Sequence, residues 1–452
     1  MFPEYVQEAM DRLERAGYEC FAVGGCVRDS LRGAAPHDWD LCTSARPEQV
    51  RAAFSGCRTV EIGLEHGTVA VVFPEGTLEI TTYRVEDGYT DARHPDRVAF
   101  TPDIREDLAR RDFTVNAMAY HPRKGLADPF GGQKDLRDGI LRCVGEPQRR
   151  FGEDALRILR AVRFSSVIGY RLEAKTAAAV HEMRENLNRI SAERIREELT
   201  KLLMGKNIRE VLTLYSDVVA VVLPELKPCF GFIQHNVHHS MDVWGHTVES
   251  VARCAPDPVL RWTLLLHDIG KPDTFTLEDG TGHFYGHERH SAALAQAILK
   301  RLKFDTRTAQ RIVTLIQSHM LRTEPSERAV RRRLNQLGPE TFFQLLEVIR
   351  ADTLSLAPDF HSRTLEIDQL KTLAERIIVS GQCFSLRDLA VNGEDLLALG
   401  LHGREVGEGL RFLLNEVIGG RCENTREALL EEIARRYQKS DFPEISAYRQ
   451  DS

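Results

Sequence analysis

Short apolar runs alternate with polar turns along the first 145 residues. Glu19 to Val23, Thr68 to Phe73 and Leu78 to Tyr83 read as strands, with Gly, Pro and Asp between them. Ahead of them, MFPEYVQEAMDRLERAG spaces its apolar residues three and four apart and predicts an amphipathic helix. From about Phe151 the period changes. FGEDALRILRAVRFSSV and SAERIREELTKLLM carry apolar residues at helical spacing, and the rest of the chain follows suit. The pattern predicts an α+β fold, with a small sheet confined to the first 145 residues and an all-α remainder. Breaks at Pro224 to Pro228, Pro256 to Pro258 and Ser380 to Phe384 divide the helical part.

The chain has 452 residues, 42% hydrophobic and 28% charged, which is enough for several separate cores. No apolar run approaches the ~18 residues that span a bilayer, and the N-terminus lacks the form of a signal peptide, so a cytoplasmic protein with no membrane partner is expected. Nine scattered cysteines form no CxxC pair, which predicts reduced, mostly buried thiols and no zinc knuckle. The net charge of −7 argues against a generally basic surface. Any nucleic-acid contact must come from local arginine clusters.

Two segments near the start carry chemistry. In VGGCVRD (Val23 to Asp29), glycines close a strand just before a helix, where bare backbone N–H groups can wrap a triphosphate and Arg28 can add a charged fork. In HDWDLCTSARP, Asp38 and Asp40 stand two apart, so on a strand both carboxylates leave the same face. Hard oxygen donors of this kind suit two Mg²⁺ ions in phosphoryl transfer. Glu79 in LEITTYR is a candidate third carboxylate, or equally a solvent-facing strand residue.

GG-x-V-R-D followed by D-x-D resembles the nucleotidyltransferase superfamily of DNA polymerase β, specifically the class II tRNA nucleotidyltransferases and bacterial poly(A) polymerases. RRDFTVNAMAY (Arg110 to Tyr120), DPFGG (Asp128 to Gly132), EDALRILRAVRF (Glu153 to Phe164) and SAERIREEL (Ser191 to Leu199) are similar to that family's further motifs, in its order. The resemblance implies a polymerase-β-like head over 1–145, then an elongated all-α neck (146–230), body (231–360) and tail (361–452). It implies template-independent addition of C, C and A to the 3′ end of tRNA from CTP and ATP, with Asp38 and Asp40 as catalytic metal ligands. Gly25, Arg28, Arg111, Asp112, Asp154, Arg157, Arg160 and Arg163 would contact the incoming nucleotide, and Arg110 reads as a surface residue.

On one helix at ~100° per residue, Asp154, Arg157, Arg160 and Arg163 would fan across one side, with Asp154 and Arg157 as neighbours. An acceptor beside a donor matches the amino group and ring nitrogen shared by cytosine and adenine, and leaves uracil and guanine mispaired. RVEDGYTDARHPDRVA, between Tyr83 and Phe100, reads as a mobile loop. In the family such a loop helps switch specificity from C to A, and its full length here favours complete CCA addition over CC-only addition, A-only addition or poly(A) synthesis.

The helical half holds a second set: His246, His267-Asp268 in LLLHDIGKP, His287, His319 and Asp352. Imidazoles and carboxylates in such positions suit a divalent metal. They resemble the HD phosphohydrolase superfamily, which implies a Ni, Mn, Co or Mg ion activating a water, Lys271 facing a phosphate, and a small phosphate ester as substrate. His235, His238, His239, His283 and His290 fit no pattern. The glycine-punctuated tail after Phe384 resembles the family's tRNA-contacting segment, and Arg137, Arg142, Arg149, Arg150, Arg328, Arg331, Arg332 and Arg333 would extend a basic track. Competing readings are an HD phosphohydrolase with a regulatory nucleotide-binding module, and an RNA-binding scaffold without activity. A monomer and a homodimer are both compatible with the sequence.

Overall fold

A computed structural model of the chain describes residues 2–36, 38–61, 67–88 and 97–437. They form two compact units: residues 1–230 with 256–261 and 297–305, and residues 231–255 with 262–296 and 306–452.

The first unit is built on a seven-stranded sheet. Its strands are β1 (Cys20–Val23), β2 (Asp40–Thr43), β3 (Arg58–Glu61), β4 (Thr68–Phe73), β5 (Gly76–Thr82), β8 (Ala119–His121) and β9 (Gly125–Ala127), in the order β3-β4-β5-β2-β1-β8-β9; β6 (Arg84–Asp87) and β7 (Arg97–Phe100) pair separately. Within the sheet only β2 and β5 run parallel. β1 is wholly apolar and wholly buried, as a central strand requires. The Glu4–Arg15 helix buries Val6, Ala9, Met10 and Leu13, the apolar stripe expected from its spacing.

The segment read as a mobile loop is ordered at its base. β6 and β7 pair in antiparallel register from Arg84↔Phe100 to Asp87↔Arg97, while residues 89–96 lie outside the described residues. Glu86 holds Arg84 at 2.7 Å and Arg110 at 3.1 Å, and Arg110 also binds Asp107. Arg110 is therefore a pin for this hairpin rather than a plain surface residue.

Sheet is not confined to the first 145 residues. Ile140–Leu141 pairs in parallel with Arg171–Leu172, and Thr276–Glu278 forms a hairpin with Thr281–His283. Asp279-Gly280, both at positive φ, turns that hairpin, and this Asp-Gly pair was a signal in the sequence.

Nor do Glu153 to Phe164 lie on one helix. A Pro147–Glu153 helix ends at Asp154, whose backbone is extended, and a new helix runs from Leu156 to Ile168. Asp154 causes the break: its Oδ1 accepts from the Leu156 N–H at 3.0 Å, a local bond that competes with helix continuation.

DPFGG serves the architecture. Asp128 accepts from the Gly132 and Gln133 N–H groups at 2.7 and 2.8 Å, capping the Gly132–Asp138 helix. A Cβ on Gly132 would meet the Thr114 carbonyl oxygen at 2.2 Å.

The second unit is mainly helical. The glycine-rich tail packs on itself: a Cβ on Gly409 would meet Leu396 at 2.9 Å, inside a core that includes Leu413, Leu429 and Ile433. All nine cysteines are free, seven of them buried. Among the described residues no helix is long and apolar enough to cross a membrane.

Gly132→Ala should lower the stability of the first unit by about 1–3 kcal/mol through overpacking against backbone that cannot yield. A thermal melt reads this directly, and a melting temperature equal to that of the parent chain would contradict the packing argument.

Candidate active site and metal centre

Asp40 opens β2 in register with Glu79 on the parallel neighbour β5, so the two carboxylates leave the sheet side by side. Asp38 lies in the bend before β2, so strand alternation does not set its direction. All three are exposed to solvent. The Asp40 carboxyl is held above its ordinary pKa by its surroundings: partial burial, then the Glu79 charge, with Asp38 adding and Arg111 opposing. Carboxylates gathered so that Asp40 is held above its ordinary pKa are a fit for a divalent cation.

Beside them the chain turns at Gly24, with φ at +80°, between β1 and the Gly25–Leu31 helix. A Cβ there would approach an Arg111 guanidinium nitrogen at 3.0 Å. Gly24, more than the predicted Gly25, is the position that tolerates no side chain. Arg111 reaches Asp107 at 3.4 Å and leaves its buried Nε without a partner.

Asp112 organises the adjoining cluster. Its Oδ2 accepts from Arg160 Nε and Nη2 at 2.9 and 2.6 Å, and its Oδ1 from the Phe113 N–H and the Asn116 amide at 2.8 and 3.0 Å. Burial works against its ionisation, but Arg160 and Asn116 outweigh that and hold its carboxyl well below the usual range. Asn116 in turn accepts from Arg28 at 2.7 Å. Arg28, Arg160 and Arg163 then stand 5.2, 5.4 and 4.0 Å from the centre of the Phe164 ring, Arg163 held by Glu198 at 2.6 Å. Three guanidiniums thus form a wall around one ring, each paired with a carboxylate. Asn116 and Phe164 lay inside the quoted motifs, yet the sequence alone did not single them out.

Asp154 and Arg157 are not joined as helix neighbours. Asp154 accepts from Arg194 at 3.1 Å, while Arg157 donates to Glu153 at 2.9 Å and to the Arg110 carbonyl at 3.0 Å. Glu153 also collects Arg149 and Arg150, and Arg150 is buried, which removes it from the expected basic track.

In the second unit the predicted histidines and aspartates converge without exception. Donor atoms of His246, His267 and Asp352, and of Asp268, His287 and His319, form two triads, each within 4.8 Å and wholly buried. Asp268 lies between them. Its Oδ2 faces His246 and His267 Nε2 at 3.4 and 3.2 Å, and its Oδ1 faces His287 and His319 Nε2 at 3.4 and 3.9 Å. The outer nitrogens meet backbone carbonyls: His267 with Leu264, His287 with Phe284 and His319 with Ile316, at 2.8, 2.8 and 2.6 Å, and His246 with Ser355 at 3.4 Å. A carbonyl accepts only, so each Nδ1 carries a hydrogen, and in the neutral imidazole the Nε2 lone pair turns inward. His287 and His319 thus set two such nitrogens 3.3 Å apart, while His267 Nε2 lacks a hydrogen-bond partner and Asp268 Oδ2 is met by the Lys271 ammonium at 2.7 Å. That donor set fits divalent cations.

Among the histidines without a pattern, His283 stacks on Tyr285, His238 packs on Phe360 and His290 binds Asp273, but His239 enters the centre. Its place seven residues before His246 gave no motif to find it by. Lys271 lies 2.7 Å from Asp268 and 2.9 Å from Gln234.

Residues 20–142 match the family model of the poly(A) polymerase head domain, 169–230 that of an RNA- and SrmB-binding site of polymerase A, and 287–433 that of tRNA nucleotidyltransferase domain 2. A CCA-adding enzyme of Lactobacillus delbrueckii subsp. bulgaricus is 33% identical over 94% of this chain and 96% of its own length. That of Enterococcus faecalis is 31% identical, over 92% of both. The crystal structure of the Bacillus stearothermophilus CCA-adding enzyme in complex with CTP superposes with a TM-score of 0.75 at 29% identity, covering 97% of this chain and 98% of that one. The motifs, the carboxylate-bearing sheet and similarity along nearly the whole chain agree, and the chain belongs to the CCA-adding enzyme family of nucleotidyltransferases.

Proposed function

We propose that the chain adds C, C and A to the 3′ end of tRNA from CTP and ATP, without a template. The observation that carries this reading is the register of Asp40 with Glu79 beside Asp38, next to the guanidinium wall. Asp38 and Asp40, with Glu79 in support, would hold Mg²⁺, which when bound supplies activation of the 3′-hydroxyl and neutralisation of the triphosphate. Arg111 at the Gly24 turn, with Arg28, Arg160 and Arg163, binds the nucleotide's phosphates and sugar. Asp112 positions Arg160 and, through Asn116, Arg28.

Asp154 accepts from the amino group of cytosine or adenine and Arg157 donates to the ring nitrogen. Glu153, which grips Arg157, positions it for that contact. In this reading residues 1–145 are the catalytic head, 146–230 the neck, 231–360 the body and 361–452 a tRNA-binding tail.

A second activity is favoured by the two buried triads. His246, His267, Asp352, Asp268, His287 and His319 would hold divalent ions, which when bound would supply a polarised water for hydrolysis of a phosphate ester.

With purified chain, Mg²⁺ and tRNA transcripts ending before CCA, after C and after CC, all three should extend to CCA. Asp40→Ala should cost about 10³-fold in rate, since metal stabilisation is worth several kcal/mol and each tenfold about 1.4 kcal/mol. Stopping at CC, using only the CC end, or making long A tails would reassign the product.

At the buried centre, Mn²⁺ analysis should give roughly two ions per chain after Asp38→Ala/Asp40→Ala silences the head. Burial opposes protonation of His267, but Asp268 and Asp352 push its pKa up to about 10, so at neutral pH this ligand starts protonated. Metal uptake must displace that proton, and affinity should rise about tenfold per pH unit from pH ~7 towards 10. Calorimetry in buffers of different ionisation enthalpy reads the released proton, and a pH-independent affinity would contradict this account.

A further inference from the structure

His239 lies in the irregular segment ahead of the Val243–Arg253 helix, with its ring perpendicular to that of His246, the centroids 4.7 Å apart. Its partner is Lys271, whose ammonium has three hydrogens and no acceptor capacity. Lys271 donates to Gln234 Oε1 at 2.9 Å and to His239 Nε2 at 3.5 Å, and pairs ionically with Asp268 Oδ2 at 2.7 Å. Because Lys271 donates to Nε2, the imidazole hydrogen sits on Nδ1. That Nδ1 is buried and has no partner. A buried donor left unmade costs ~1–3 kcal/mol, so its persistence beside a cation-shaped cluster points to an anion that completes it.

We propose that His239 is the anion-binding donor of the buried centre, its Nδ1–H bonding an oxygen of a tetrahedral phosphoryl group while Lys271 fixes the tautomer from behind. The inference rests on the reading of the centre as a divalent-metal site. Phosphoryl oxygens come from inorganic phosphate or from a nucleotide phosphomonoester, and the chemistry at Nδ1 is the same for both.

The test uses the full-length chain in the Asp38→Ala/Asp40→Ala background, loaded with Mn²⁺, with inorganic phosphate and 2′-AMP titrated separately by calorimetry. Asparagine carries its amide nitrogen where Nδ1 stands, and glutamine where Nε2 stands. His239→Asn should keep phosphate affinity within about threefold, and His239→Gln should weaken it by about tenfold, the scale of one hydrogen bond to an anion. Both variants should retain the parent's Mn²⁺ content. A His239-dependent preference for 2′-AMP assigns the phosphomonoester, and equal affinity assigns free phosphate; either supports the proposal. Unchanged phosphate binding in His239→Gln at full Mn²⁺ content would overturn the role of His239 alone. Absence of Mn²⁺ from the His239-containing chain would overturn the metal reading and this inference with it.

Discussion

Asp112 is an ionised carboxylate shut away from water, and the catalytic face of the first unit is assembled from the groups that keep it so. Burial alone would favour protonation. The Arg160 fork, the Asn116 amide and the Phe113 N–H supply four hydrogen bonds instead. Donation to Asp112 also fixes which way the Asn116 amide faces, leaving its oxygen to Arg28. One carboxylate thereby ties the Gly25–Leu31 helix, the turn at Thr114–Asn116 and the Leu156–Ile168 helix into a single arrangement. The guanidiniums can crowd around Phe164 only because each has a fixed acceptor: Asp29 for Arg28, Asp112 for Arg160 and Glu198 for Arg163.

The second unit manages the same problem with imidazoles. Leu264 and Ile316 lie near the C-terminal ends of helices, where carbonyls lack a partner within the helix. His267 and His319, each three residues further on, satisfy those carbonyls through Nδ1 and so direct Nε2 into the centre. The backbone thus selects the tautomer, and Lys271 does the same for His239 from the opposite ring nitrogen.

The two sites differ in access as well as ligand type. Asp38, Asp40 and Glu79 are exposed to solvent, whereas the six residues of the histidine and aspartate cluster are all buried. A net charge of −7 is compatible with both, because the arginines that matter are gathered locally and paired.

The order of motifs from Val23 to Leu199, the α+β class and the six histidines and aspartates that converge in the second unit were legible in the sequence, since each depends on residue type and spacing along the chain. Which neighbour each side chain takes was not. The break at Asp154 came from a side-chain bond competing with the helix, and it redirected Asp154 to Arg194 and Arg157 to Glu153. Arg110 and Arg150 read as surface residues and proved to be tied down, because which carboxylates they take and how deeply they are buried depend on packing. His239 had no motif at all. Residue identity and periodicity determined the chemical repertoire and the elements that carry it, while only the tertiary structure decided pairing, since a buried charge or N–H takes whichever partner folding brings within reach.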